Sequence, residues 1–209
     1  MPELPDETIR AFLDQLAARL PAPGGGATAT LHAAQAAALL AMVARYSEGP
    51  KYAEHAQTVR RVLAEAERLR GECTDLVAAD AGAFASVAAS YALPRDTPAQ
   101  KAARSAAIAA TLITAAEPPA EVIKAAGRLL DLAEDLRPVA NRTVLSDVAA
   151  AAEAIRAAAA TGRINVEVNL SGITDAAARE VYADVVARVD ILLARADKVA
   201  AAVRAELAR

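Results

Sequence analysis

The stretch "LRGECTDLVAADAGAFASVAASY", residues 69–91, contains no proline and spaces its apolar residues at helical intervals. Leu69, Cys73, Leu76, Asp80, Phe84, Val87 and Tyr91 follow in steps of four, three, four, four, three and four. Those steps trace one face of an α-helix, apolar everywhere except at Asp80. No proline stands between Pro50 and Pro94, so the run predicts one very long helix from about Lys51 or Glu54 to Ala92, ended by "LPRDTP". A carboxylate on an apolar stripe is costly unless it is paired or hydrogen-bonded. Asp80 therefore has two readings. It is either a structural acid tied to a neighbouring helix, or a pocket acid facing a cationic ligand.

Outward from that helix the same punctuation repeats. The chain has 209 residues, 60 of them alanine, with only six aromatics and no tryptophan. Alanine is the best helix former, and few stretches alternate in the strand pattern, so the fold class expected is all-α. Proline and glycine divide the chain into helices at about 6–20, 26–46, 98–116 and 119–136 around the long one. The first places Ile9, Leu13, Leu16 and Leu20 on one face. "RPVANRTVLSD" reads as an irregular junction before a helix reaching about Thr161, and "GRINVEVNLSG" as an extended loop or short strand. A last helix, about 174–208, carries Val181, Val185, Val189, Leu192, Val199 and Val203 in a nearly heptad stripe. With neither a linker nor a repeat, residues 1–209 form one helical domain. Its small side chains bury little area each, and together with the valine stripe this suggests a second copy: a homodimer.

Charge and composition exclude several classes. Lys and Arg number 23 against 26 Asp and Glu, without a basic run or interleaved aromatics, which argues against a nucleic-acid partner. Residues between Arg19 and Arg45 carry no formal charge, long enough to raise a membrane span. Three glycines, two prolines, several threonines, His32 and Gln35 interrupt that segment, so a buried helix is expected and no membrane partner. A single cysteine and an acidic N-terminus, "MPELPDETIR", fit a cytoplasmic protein. His32 and His55 are too isolated for a metal site, so no metal is expected.

"PAPGGGATAT", residues 21–30, places Gly24, Gly25 and Gly26 at the start of a helix. One glycine would serve a tight connector. Three also leave free helix N-terminal amides open to a ligand. In "ANRTVLSD", Asn141 or Ser146 can cap a helix and Asp147 can complement its dipole. In "NVEVNL", Asn165 and Asn169 share a side if extended, where two amides suit a heteroaromatic ring that both donates and accepts, or simply bond within the loop.

"PAPGGG", "EGPKYAEH", "DAGAFASVAASYALPRDT", "EPPAEVIKAA", "LSD" and "GRINVEVNL" occur in the order found in the formimidotetrahydrofolate cyclodeaminase and methenyltetrahydrofolate cyclohydrolase family, which the chain resembles over about residues 5–205. The resemblance implies a small all-helical homodimer acting on the one-carbon unit of tetrahydrofolate, with the folate as substrate and no further cofactor. It implies Asp80, Asp147 and Lys51 as catalytic residues. It also implies Pro23, the three glycines, Tyr52, Arg95, Asn141, Asn165 and Asn169 as substrate-binding, with Lys51 and Arg95 holding the glutamate carboxylates or assisting proton transfer. Arg95 stands where members commonly carry lysine. Hydrolysis of the methenyl form is the expected reaction and ammonia-releasing cyclisation of the formimino form the alternative. A non-catalytic helical interaction module is the reading from another class, and it gives no reason to keep a carboxylate at position 80.

Overall fold

The computed structural model describes residues 6–209, leaving the first five residues of the acidic N-terminal segment outside it. Eight α-helices, and no strand among the described residues, follow in chain order: α1 Ile9–Ala17, α2 Gly25–Tyr46, α3 Ala56–Tyr91, α4 Pro98–Ala115, α5 Glu117–Leu136, α6 Leu145–Leu170, α7 Ala176–Ala187 and α8 Val189–Leu207. Short 3-10 turns at Pro50–His55, Arg137–Val139 and Arg142–Val144 join them.

Helix α2 is the hub. Twelve of its 22 residues are buried, most of them alanine, so α3, α5 and α6 can approach it closely. It and the α4–α5 stretch are long and apolar enough to cross a membrane by length and composition. In this fold the apolar surface of α2 is instead taken up by neighbouring helices. Cys73 is buried within the same core, and that burial pushes its thiol up to about 11.

Helix α3 runs antiparallel to α4 and α5 along its whole length, and four cross-links fix the register. Arg61 pairs with Asp135 at 2.6 Å and Arg128 with Glu72 at 3.3 Å, joining α3 to α5. Farther along, Thr111 Oγ1 donates to Ser90 Oγ at 3.1 Å, and Arg104 Nε and Nη2 donate to the Tyr91 carbonyl at 3.1 and 3.0 Å. Thr97 and Gln100 close a reciprocal capping box that starts α4, with Pro98 at its first position. Since Gly26 on α2 lies against Asp80 on α3, the last three turns of α3 and the facing part of α4 extend past the start of α2.

Four expectations need correction. "GRINVEVNL" is neither loop nor strand but the last turns of α6. Gly162 does not break that helix, because it is there for packing: a Cβ added to it would stand 3.1 Å from both Ile123 Cγ1 and the Pro119 carbonyl oxygen. Among its β-branched residues Val166 is fully buried, which overrides local preference, while Ile164 and Val168 remain exposed. Helix α1 ends at Ala17, short of Leu20, and on its expected face Ile9 and Leu13 are exposed, while Phe12 is the buried residue, packing on Ala27 and Val77. The final helix breaks at Arg188, where the amide reaches back to the Val185 and Val186 carbonyls and the turn tightens. Of the valine stripe only Val181 is exposed; Val185, Val189, Leu192, Val199 and Val203 are consumed in this chain's own core.

Candidate functional site

The α3 stripe does two jobs. Its first half, Leu69 and Cys73, is core. Its second half, from Asp80 through Phe84 and Val87 to Tyr91, is one wall of a cleft of about 370 Å³. The start of α2 supplies the floor, and α6 faces α3 through Asn165, Val168 and Asn169. Leu112, Ala115 and Pro119, at the join of α4 and α5, close one end.

The three glycines are not equivalent. Gly24 is the N-cap, extended at φ −140° and ψ −153°, with nothing within 4 Å of a Cβ added to it. Gly25 lines the cleft, where such a Cβ would meet Asn165 Nδ2 at 3.4 Å. Gly26 is buried, and its Cβ would fall 1.9 Å from Asp80 Oδ1. The third glycine thus keeps room for a carboxylate at a helix N-terminus, where free amides and the helix dipole favour negative charge. Burial pushes the Asp80 carboxyl above the ordinary carboxylate range, and a hydrogen bond from the Ala27 backbone opposes that shift without cancelling it. Among the residues lining the cleft Asp80 is the one carboxylate, and no Lys, Arg or His is present. Such a site suits a cationic or donor-rich ligand with an apolar body.

The α6 wall depends on the helix that replaced the expected loop. At a spacing of four, Asn165 and Asn169 lie on one helical face. Asn165 Nδ2 donates to the Thr161 carbonyl at 2.8 Å. Asn169 Nδ2 donates to the Asn165 carbonyl at 2.9 Å and the Ala115 carbonyl at 3.3 Å.

Other expected site residues lie elsewhere. Helix α2 rises roughly 1.5 Å per residue, so its two ends are about 30 Å apart. At the far end, Lys51 is exposed over the Tyr52 ring, 5.4 Å from its centroid, and Tyr52 borders a separate hollow with Ser47 and Gly49. Asn141 is at that end too. Its Nδ2 donates to the Tyr46 carbonyl at 3.0 Å, while its Oδ1 accepts from the Thr143 amide at 3.1 Å as a cap. Asp147 occupies the first turn of α6, the end opposite Asn169. Arg95 is exposed in the loop after α3, and Pro23 is buried just before the glycines. One chain therefore brings together Asp80, the glycines, Asn165 and Asn169, and does not bring Lys51, Tyr52, Asn141 or Asp147 to them. Sequence reasoning missed Arg104, whose guanidinium holds the Tyr91 carbonyl and stacks 5.4 Å over the Tyr91 ring at the cleft's edge. Its only signal was a second cation, one turn after Lys101, early in the following helix. Among the described residues no group of three or more His, Cys, Asp or Glu side chains is placed to hold a metal ion.

A helical bundle with one partly buried carboxylate set against a bared helix N-terminus defines a small-molecule site of the enzyme kind. Comparison with known proteins makes this particular. The formiminotransferase-cyclodeaminase family model matches residues 8–188, and the chain belongs to that family. It is 38% identical over 176 residues to a methenyltetrahydrofolate cyclohydrolase of Methylorubrum extorquens, covering 84% of this chain and 85% of that protein. It is 33% identical over 171 residues to the formimidoyltransferase-cyclodeaminase of Rattus norvegicus, covering 81% of this chain but 32% of the relative. The crystal structure of a formiminotetrahydrofolate cyclodeaminase from Thermotoga maritima superposes with a TM-score of 0.83 at 27% identity, covering 96% of this chain and 99% of that one.

Proposed function

We propose that the Asp80 cleft binds a reduced folate and hydrolyses 5,10-methenyltetrahydrofolate to 10-formyltetrahydrofolate. The observation that carries this reading is the Asp80 carboxylate, partly desolvated and held open by Gly26 in a cleft lined by no cation. The methenyl carbon lies between two nitrogens that share a positive charge. Ionised Asp80 is the counter-charge to that cation and, with its proton affinity raised by burial, a base for the attacking water. Water adds to the carbon as Asp80 takes one proton, giving a neutral tetrahedral adduct. The carbon–N5 bond then breaks while Asp80 returns the proton to N5, and the adduct's hydroxyl proton leaves to solvent as the formyl C=O forms. One proton is released overall. Free amides at Gly25 and Gly26 face the developing oxygen without side chains in the way.

The cyclohydrolase relative supports this direction. The second reading is cyclisation of formimino-tetrahydrofolate with loss of ammonia, supported by the likeness to the Thermotoga maritima cyclodeaminase. Loss of the methenyl absorbance on adding the purified protein tests the first, and ammonia release from the formimino substrate tests the second. A protein that does neither leaves the interaction module as the reading.

The working form is proposed to be a cytoplasmic homodimer. Helix α3 carries no formal charge from Ala81 to Leu93, nor α4 from Ser105 to Ala116, and Phe84 and Tyr91 are half exposed there. A contiguous uncharged face of this size suits a partner better than water. A second copy is also the means by which Lys51 and Tyr52 can reach an Asp80 cleft, given the length of α2.

A further inference from the structure

The two asparagines on α6 were expected to offer a ring both donors and acceptors. The hydrogen bonds leave Asn169 a different role. An asparagine amide has two N–H donors and one acceptor oxygen. Both donors of Asn169 are spent, on the Asn165 carbonyl of its own helix and on the Ala115 carbonyl at the end of α4. Rotating the amide by half a turn would set Oδ1 against those same two carbonyl oxygens, so the group is held in one orientation by two separate helices. Asn169 lines the cleft, and its Oδ1 accepts no hydrogen bond from any described residue. Gly172, on the turn that follows, fits tightly against Leu112, where an added Cβ would lie 2.4 Å from Leu112 Cδ1. The backbone that carries Asn169 is thus clamped to the end of α4.

We propose that Asn169 Oδ1 is a locked acceptor that selects ligands by an N–H donor on the ring edge remote from the reacting carbon. This rests on the folate reading of the cleft and adds the part of the molecule recognised. Asn165 stands against Gly25, next to the carboxylate, and Asn169 lies one turn, about 6 Å, farther along α6. A bicyclic ring whose one-carbon bridge is at Asp80 presents its opposite edge to Asn169. In a pterin that edge bears the exocyclic 2-amino group. An acceptor with no freedom to turn discriminates strongly, because a ligand without the donor leaves the oxygen unpaired. Phe84, Val87 and Leu112 supply the apolar surfaces for the ring faces.

The experiment is a cycle of two ligands and two proteins, read as dissociation constants by calorimetry. The ligands are tetrahydrofolate and its 2-desamino-2-methyl analogue, and the proteins are wild type and Asn169→Leu. Wild type is expected to bind the analogue about tenfold or more weakly. Asn169→Leu is expected to bind both equally, near the affinity of wild type for the analogue. Equal binding of the two ligands by wild type overturns the inference without needing a folded variant, and leaves the folate reading standing. The same preference retained in Asn169→Leu overturns it as well. A wild-type protein that binds no tetrahydrofolate removes the folate reading and this inference together.

Discussion

Replacing Gly26 with alanine tests the central contact of the site with one methyl group. The added Cβ would lie 1.9 Å from Asp80 Oδ1, 2.4 Å from Cγ and 2.5 Å from Oδ2, whereas ordinary contact begins at 3.4 Å. About 1.5 Å must therefore be found, the difference between 3.4 and 1.9 Å. If Asp80 turns away, it gives up the Ala27 backbone hydrogen bond, worth about 1 kcal/mol. If α2 and α3 separate instead, the overpacking cost is about 1–3 kcal/mol. Either way the variant should fold, with stability reduced by about 1–3 kcal/mol in urea unfolding. The carboxylate is then displaced by more than 1 Å, enough to lower turnover of the methenyl substrate about a hundredfold. Gly24→Ala is the control, since nothing lies within 4 Å of its Cβ: it adds no clash with Asp80, costs about 1 kcal/mol or less as a poorer N-cap, and should lower turnover far less than Gly26→Ala. In Gly26→Ala/Asp80→Ala the clash is gone, so stability should recover while turnover does not. Wild-type turnover in Gly26→Ala would refute the placement of Asp80 at the reacting carbon.

Asp80→Asn keeps the shape and removes the charge, and turnover should fall about a hundredfold or more. Its stability should hold or rise at neutral pH. The native carboxyl takes up its proton more readily than the unfolded one, so wild type loses stability as pH rises from the ordinary carboxylate value through the raised one. The asparagine variant lacks that contribution, so its advantage in melting temperature should vanish at low pH and be complete above the raised pKa. Asn141→Ala should lower stability by about 1 kcal/mol, because Asn141 caps the turn before α6, and denaturant unfolding measures it. Ala88→Glu places a charge on the exposed, uncharged part of α3 and should convert a sedimenting dimer to monomer with the fold intact by circular dichroism. A wild type that sediments as a monomer removes the dimer.

Much of this architecture was legible because proline and glycine mark helix ends. The exceptions share one cause. Gly162 looked like a break because a sequence does not show that Pro119 and Ile123 press against it. Val166 and Val168 looked like strand because local preference was read without the helix already nucleated upstream. Asp80 stood out on its stripe without any neighbour in view, and the triple glycine stood out as excess. Their meeting at Gly26 was not legible, since nothing along the chain says that α2 and α3 run in opposite directions. The family resemblance names Lys51, Asn141 and Asp147 beside Asp80, but the sequence does not show where in one chain they stand. Those three lie at one end of the antiparallel helices and Asp80 at the other.

Helix α2 also has a consequence for how the protein is made. All three helices that cover it, α3, α5 and α6, follow it in the chain. During synthesis it leaves the ribosome before any of them, with no formal charge between Arg19 and Arg45 to keep it apart from other apolar segments. Until α6 has been translated, its alanine face has no permanent cover, so the nascent chain is most open to aggregation while the C-terminal half is still being decoded. Slow translation of α3 or α5 should therefore raise the demand for a holding chaperone, because each delay lengthens the time α2 stands uncovered.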